Sequence, residues 1–246
     1  MSRTEKFVLL GIAALACSAC ATGVVDPERD PYESFNRDMY AVNDGLDRAI
    51  LEPTAKGYRA VTNEPVRSGV RNFVGNLAEP KTFANQVLQG QVVPAASTVG
   101  RFVVNTTLGV VGIFDPATSM GLERRKEDFG QTLGVWGMAS GPYLVLPVIG
   151  STSPRDLVGF GVDLASNPLN FAQFDGDDAT RVGVLAARGI SAREDAIEVV
   201  DDLRATRLDP YSSVRRYHVI SRASEIGNRE IAPNEIQEVQ DYELDF

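Results

Sequence analysis

The residues able to do covalent chemistry are few. One histidine, His218, sits beside Tyr217 on a stretch of helical character. Two cysteines, Cys17 and Cys20, both lie near the start of the 246-residue chain. The body that follows has no thiol nucleophile, no disulfide framework and no cysteine-based zinc site. A GxSxG elbow, a phosphate loop and a dinucleotide fingerprint are all missing from the sequence. Asp175-Gly176-Asp177-Asp178 gathers three carboxylates but lacks the order of an EF-hand calcium loop. Carboxylates at a helix N-terminus account for it better than a metal. No catalytic residue, metal site or cofactor is therefore expected, and binding or transport fits better than an enzyme. The cations are mostly arginine, which suits bidentate contact with phosphate or carboxylate; solvated or ion-paired roles suit most of them as well. A formal charge of −9 argues against a nucleic-acid partner, whose affinity comes mainly from phosphate neutralisation.

The elements that would position these residues begin with a sorting signal. Arg3 and Lys6 form a basic region, Phe7 to Ala16 an apolar one too short to span a bilayer. It runs into ALACSACAT, which resembles a bacterial lipobox whose cysteine is acylated. Cys20, preceded by Ser18-Ala19, is the expected lipidation site, with Cys17 as the alternative register. Residues 1–19 are then a signal peptide, 20–29 an acylated start and linker, 30–228 a helical domain and 229–246 an acidic tail expected to be mobile. Aspartate is absent just after either cysteine, which by resemblance to lipoprotein sorting signals favours the outer membrane.

Helical signals recur after that. Asp30, Pro31 and Glu33 make a helix start, and Tyr32, Phe35, Met39, Val42, Leu46 and Ile50 form one apolar stripe, ended by Glu52-Pro53. Pro65 opens a second helix, Pro80 a short third, and Pro94 a fourth with Ala95, Val99, Phe102 and Val103 inward. Ser153-Pro154 starts another, residues 179–203 read as one long amphipathic helix, and Asp209-Pro210-Tyr211 starts the last. No sustained period-two alternation appears, so the fold class is all-α.

Gly130 to Pro154 contains no charged residue. Pro142 and Pro147 forbid a single helix through it. Gly130, Gly134, Gly137 and Gly141 recur at helical spacing, giving a bare face that another backbone can approach. Two readings fit: a broken apolar hairpin that enters lipid, or a buried soluble core.

The chain resembles the MlaA/VacJ family of outer-membrane lipoproteins. The resemblance is carried by Asp30-Pro31, Phe35-Asn36-Arg37, Asn43, Asn72-Phe73, Asn76, Glu79-Pro80, Leu88-Gln89-Gly90 and Arg101-Phe102. It continues through Asn105-Thr106-Thr107-Leu108-Gly109, Gly112-Ile113-Phe114-Asp115 and Phe129-Gly130-Gln131-Thr132-Leu133-Gly134. Trp136-Gly137, Gly141-Pro142-Tyr143, Leu146-Pro147, Gly150 and Arg155-Asp156 complete it, and Asp209-Pro210-Tyr211 is a weaker late match. Cys17 in place of the lipobox leucine, and the acidic tail, depart from the pattern. The resemblance implies a ring-like helical protein embedded in the inner leaflet of the outer membrane, with a central amphipathic channel. It implies phospholipid as cargo, a trimeric porin and a soluble periplasmic lipid carrier as partners, and maintenance of lipid asymmetry as the task. Asn105, Thr106, Thr107, Gly130, Gln131, Thr132, Gly134, Trp136, Gly137, Gly141, Pro142, Tyr143 and Pro147 are then the expected channel and membrane-embedded residues, with Gly130–Gly150 packed on Phe102–Phe114. Asn72, Phe73, Asn76, Glu79 and Pro80 are the expected structural motif. The alternatives are a porin-associated structural lipoprotein that carries no lipid, and an envelope hydrolase.

Overall fold

The computed structural model describes residues 30–167 and 177–232, together with Glu235. The sorting signal, both candidate lipidation cysteines, most of the acidic tail, and Asp175-Gly176 of the three-carboxylate run lie outside the described residues. The fold is all-α apart from one small hairpin. In order the elements are α1 (Glu33–Leu46), a π-helical turn (Asp47–Leu51), α2 (Glu52–Val61), α3 (Glu64–Leu88), α4 (Val92–Thr107) and α5 (Pro116–Ser119). Then come α6 (Phe129–Val135), β1 (Leu144–Leu146), β2 (Gly150–Thr152), α7 (Pro154–Ala165), α8 (Asp177–Asp195), α9 (Ile197–Thr206) and α10 (Pro210–Ile226). The chain forms two compact units: one holds the described residues up to Asp44, Phe129–Val162 and Leu203 onward, the other Gly45–Asp128 and Asp163–Asp202.

Three helix boundaries differ from the sequence reading. Glu52-Pro53 does not stop α1; the chain widens into the π-helical turn, where Glu52 N–H bonds the Asp47 carbonyl five residues back, and continues as α2 past Pro53, which brings no N–H to the turn. Pro80 does not open a helix. It lies inside α3, whose course is held by buried Asn76 and Glu79 before it and Asn85 and Gln86 after it. The expected long helix over 179–203 is divided at Ala196 into α8 and α9.

On the fourth helix Ala95 is inward as expected and Phe102 is half-buried, but Val99 and Val103 face outward and polar residues take their place inside. On α4 the buried residues are Ala95, Thr98, Arg101 and Asn105, while Val99 and Val103 are about half exposed. On α3 the buried residues are Asn76, Glu79, Thr82, Asn85 and Gln86, while Phe83 and Val87 are exposed. Among the described residues 8 hydrophobic side chains are buried, 21 polar or charged ones are buried, and 34 large hydrophobic ones are exposed. Single exposed apolar residues need no explanation, but an interior made largely of polar groups does.

That interior is held by hydrogen bonds. In the second unit Thr98 Oγ1 donates to Gln86 Oε1 at 2.7 Å, joining α4 to α3. Glu194, nearly fully buried on α8, pairs with Arg59 at 2.6 Å, Arg71 at 3.2 Å and Arg67 at 3.4 Å. Arg193 donates twice to Asp47 of the π-helical turn, at 2.7 and 3.0 Å. In the first unit a small apolar core unites Tyr143, Val145 and Tyr211 with Met39 and Tyr40.

Candidate functional site

In the first unit α1 uses two asparagines to shape the uncharged segment. Asn36, wholly buried, donates from Nδ2 to the Tyr143 carbonyl at 3.0 Å and accepts the Val145 N–H at 2.8 Å. Asn43, two turns further along the same face, donates to the Leu146 carbonyl at 2.9 Å and accepts the Val148 N–H at 2.8 Å. Each side-chain amide thus acts like a neighbouring strand's peptide for the outer edge of β1. The opposite edge pairs with β2 in register Leu144↔Thr152 and Leu146↔Gly150.

The tip of this hairpin is strained and apolar. Val148 has φ 68° and is 86% exposed. Ile149 N–H donates across it to the Pro147 carbonyl at 2.8 Å, a three-residue turn of the rare positive-φ kind. A β-branched residue in that region is a genuine outlier, and such strain gathers at functional sites. Tyr143 is anchored below, its hydroxyl 2.7 Å from Ser151 Oγ and its ring edge-on to Tyr211 and His218. Burial pushes its pKa up to about 12.

The glycines of the segment do not share one helical face, as their spacing suggested. Only Gly130 and Gly134 lie on α6. The helix closes with Met138 N–H to Leu133 C=O and Gly137 N–H to Gly134 C=O, both 2.9 Å, the paired bonds of a Schellman cap. Gly137 sits at φ 92° and Gly141 at φ 75°. The close backbone approach is instead made with α7: a Cβ on Gly159 would stand 2.2 Å from the Gly130 nitrogen. Gln131 and Thr132 are buried, Gln131 donating to Glu225 at 3.4 Å. Val135, Trp136 and Met138 are exposed, Trp136 resting edge-on against Phe129. Phe102–Phe114, expected to pack on this segment, belongs to the other unit.

In that second unit the polar triplet holds a loop. Asn105 donates to Asp115 at 2.9 Å and accepts the Ala117 N–H at 3.1 Å. Thr106 accepts from Asn76 at 2.9 Å, Thr107 bonds back to the Val103 carbonyl at 2.7 Å, and Asn72 reaches the Ile113 carbonyl at 3.2 Å. Arg101, 1% exposed, donates to Asp115 at 2.7 Å, to Thr118 at 3.0 Å, to the Leu122 carbonyl at 2.5 Å and to Glu79 at 3.4 Å. Burial alone would raise the Asp115 pKa. The hydrogen bonds from Arg101, Thr118 and Asn105 outweigh it and bring the value down to about 2. Burial holds Glu79 above the usual carboxylate range, with Arg124 and Arg101 offsetting part of that rise.

The loop so fixed, Leu108 to Phe114, turns apolar side chains outward. Leu108, Val110, Val111 and Phe114 are each more than half exposed. Val110 and Val111 have φ 52° and 58°, two consecutive valines in the left-handed region. Each costs roughly 1–2 kcal/mol there. Composition marked this loop as apolar; the strain at Val110, Val111 and Val148 has no sequence signal.

The remaining sequence candidates are placed as follows. Asn72, Asn76 and Glu79 bond to the loop and its supports, as above. Phe73 is half-buried on α3, and Pro142 is half-buried beside Tyr143. His218 on α10 is half-buried against Tyr143 and lines a cavity of about 190 Å³ with Arg155, Asp156 and Arg222. Burial lowers its pKa below 6.5. Among the described residues no group of His, Cys, Asp or Glu is arranged to hold a metal, and no helix is long and apolar enough to cross a membrane.

Comparison with known proteins follows the same blocks. The family model for the MlaA lipoprotein matches residues 28–225. The intermembrane phospholipid transport system lipoprotein MlaA of Haemophilus influenzae is 34% identical over 222 residues, 87% of each chain. Its Escherichia coli counterpart is 33% identical over 243 residues, 94% of each chain. A Rickettsia typhi protein is 41% identical over 187 residues, 76% of this chain and 73% of its own. A solved structure described as the structural basis for maintenance of bacterial outer membrane lipid asymmetry superposes with a TM-score of 0.71 at 33% identity, covering 81% of this chain and all of that one. Motif blocks, fold and relatives thus agree over nearly the same residues, and the chain belongs to the MlaA lipoprotein family.

Proposed function

We propose that this chain is an outer-membrane lipoprotein that removes misplaced phospholipids from the outer leaflet and passes them to a soluble periplasmic carrier. It does so beside a trimeric porin, without covalent chemistry. Relatives named for intermembrane phospholipid transport support the class of function. The observation that carries the reading is the inverted polarity, with Arg101, Asn105, Asn76 and Glu79 inside and Val99, Val103, Val110 and Val111 outside. In water such a surface is a liability. Against acyl chains it is the stable arrangement, because every backbone and side-chain polar group must then be satisfied within the protein.

In this reading Cys20 carries the acyl anchor, and the apolar surfaces sit in the inner leaflet of the outer membrane. The Leu108–Phe114 loop and the exposed Val135, Trp136, Met138 and Val148 meet lipid, and the chain surrounds an amphipathic channel. A phospholipid cannot carry a charged head through hydrocarbon cheaply. A wall polar for the head and apolar for the tails lowers that cost. Photocrosslinkers at Val135, Leu144 and Val148 test this directly. Capture of phospholipid there, exceeding a control beside Arg193, is the expected result. Capture at the control alone would overturn the assignment of this segment, and no capture at any site, with no phospholipid copurifying by mass spectrometry, would favour a structural porin-associated lipoprotein.

A further inference from the structure

The second unit contains a cleft of about 320 Å³ between α3, the loop at Arg124–Glu127 and α8. Six cations line it: Arg71, Lys81, Arg124, Arg125, Lys126 and Arg188. The lining acids number three, Glu79, Glu127 and Asp195, and all three are engaged. Asp195 pairs with Arg71 at 3.2 Å. Buried Glu127 accepts from Gln89 at 2.9 Å. Buried Glu79 lies 3.4 Å from Arg101 and 4.0 Å from Arg124. Lys126 and Arg188 have no ion-pair partner among the described residues. Arg71 pairs with Glu64, Glu194 and Asp195, Lys81 with Asp163 at 3.2 Å and Arg125 with Glu123 at 3.6 Å. Among the described residues Arg124, Lys126 and Arg188 are thus the lining cations left without a carboxylate of their own, a local positive surplus in a chain of formal charge −9.

Arg124 is seated by a glycine. A Cβ on Gly75 would fall 1.1 Å from Arg124 Nη2 and 2.2 Å from Cζ, so the guanidinium occupies the space a side chain on Gly75 would need. Arg124 is thereby laid against the α3 backbone at the edge of the cleft. Its one carboxylate neighbour among the described residues, Glu79, is shared with Arg101. A planar guanidinium beside a lysine and a second arginine is the donor set that phosphate oxygens fit.

We propose that this cleft binds the phosphate group of a phospholipid headgroup, held chiefly by Arg124, Lys126 and Arg188. The inference rests on the phospholipid-handling reading above and names the group by which the cargo is recognised. A volume of 320 Å³ accommodates a glycerophosphate head and no polyanionic duplex. The neutralisation runs from ligand to protein: one phosphate charge meets cations that otherwise repel one another.

The test uses the full mature chain in detergent and calorimetry with three probes: short-chain phosphatidylglycerol, glycerol 3-phosphate and short-chain diacylglycerol. The triple variant R124Q/K126Q/R188Q is expected to weaken phosphatidylglycerol binding by tenfold or more, on the order of one lost charge-assisted bond, and to leave diacylglycerol unchanged. Gly75→Ala is expected to weaken it severalfold without lowering the unfolding temperature, because the added methyl displaces only a flexible side-chain end and alanine favours the helix. Arg181→Gln, whose arginine pairs with Asp178 away from the cleft, is expected to bind as the parent does. Equal phosphatidylglycerol binding by parent and triple variant would overturn the proposal, as would an equal loss in Arg181→Gln. Variant-sensitive binding of glycerol 3-phosphate with no binding of either lipid would overturn the lipid source and, separately, the transport reading. Binding of both lipids with no effect of the variants would overturn the cleft alone.

Discussion

Asn36 shows how much one side chain can fix. It satisfies the Tyr143 carbonyl and the Val145 N–H at the edge of β1, and also donates to Asp30 at 3.0 Å. Asn36→Ala leaves those buried backbone groups without partners, at about 1–3 kcal/mol for each. We expect a loss of at least 2 kcal/mol by denaturant unfolding, roughly the sum of two such costs. Asn43→Ala should cost less, because the backbone it holds at Val148 is exposed. His218 gives a second prediction. Its folded pKa lies below 6.5, so the unfolded chain binds more protons as the pH falls through that value. Stability is therefore full above about pH 6.5 and declines as pH falls through the folded pKa. Asp156, Arg155 and Arg222 face the ring in the same cavity, where burial would raise the Asp156 carboxyl but the bond from Arg222 holds it below its usual range. His218→Gln should flatten the decline between pH 6.5 and pH 5 relative to the parent; an unchanged slope would assign it to other groups.

At the scale of elements, the crossing of α6 and α7 depends on Gly159. Its missing side chain lets the Gly130 backbone come within contact, and a Cβ would stand 2.2 Å from nitrogen and 2.5 Å from Cα. Backbone cannot yield as a side-chain end can. Gly159→Ala should therefore destabilise, by about 1–3 kcal/mol as for other overpacked sites. Gly161, two residues along the same helix, has no atom within 4 Å of the corresponding position. Gly161→Ala should instead gain up to about 1 kcal/mol from helix propensity. Thermal unfolding of the pair separates packing from propensity. The sequence showed the glycine richness of this region, but not which glycine meets which. That choice belongs to helices far apart in the chain.

At the scale of the whole molecule, the question is which solvent the apolar surface meets. Trp136 is the only tryptophan and is 55% exposed, so its fluorescence reports one defined place. In vesicles containing brominated acyl chains, its emission should be strongly quenched relative to unbrominated vesicles. Equal emission in both would remove Trp136 from the lipid-facing surface. Val111→Asp and Val148→Asp should weaken partition into vesicles, since each places a charge on an exposed apolar tip. Helicity by circular dichroism should stay unchanged, because neither side chain supports the interior.

The sequence by itself determined the helical class and most helix starts. Proline at a helix start is a local signal, realised at Pro65 and Pro210, where Asn63 and Asp209 cap the helices that follow; the start capped by Asp115 at Pro116 was not read from the sequence. It also determined the family, since ordered blocks such as Phe129–Gly134 and Gly141–Tyr143 are read without coordinates. Tertiary structure decided which face of each helix is the inside. Periodicity gives a stripe and not a direction; the inward reading of Val99 and Val103 assumed water outside. The buried contacts of Arg101 with Asp115 and Glu79, of Asn76 with Thr106, and of Glu194 with three arginines join residues up to 135 positions apart. Those long-range polar bonds fill the interior, so the aliphatic stripes face out. Polar bonds of the same kind also hold strained valines, those around Asp115 and Asn105 at Val110 and Val111 and that of Asn43 at Val148, in a backbone region that valine avoids when left to itself.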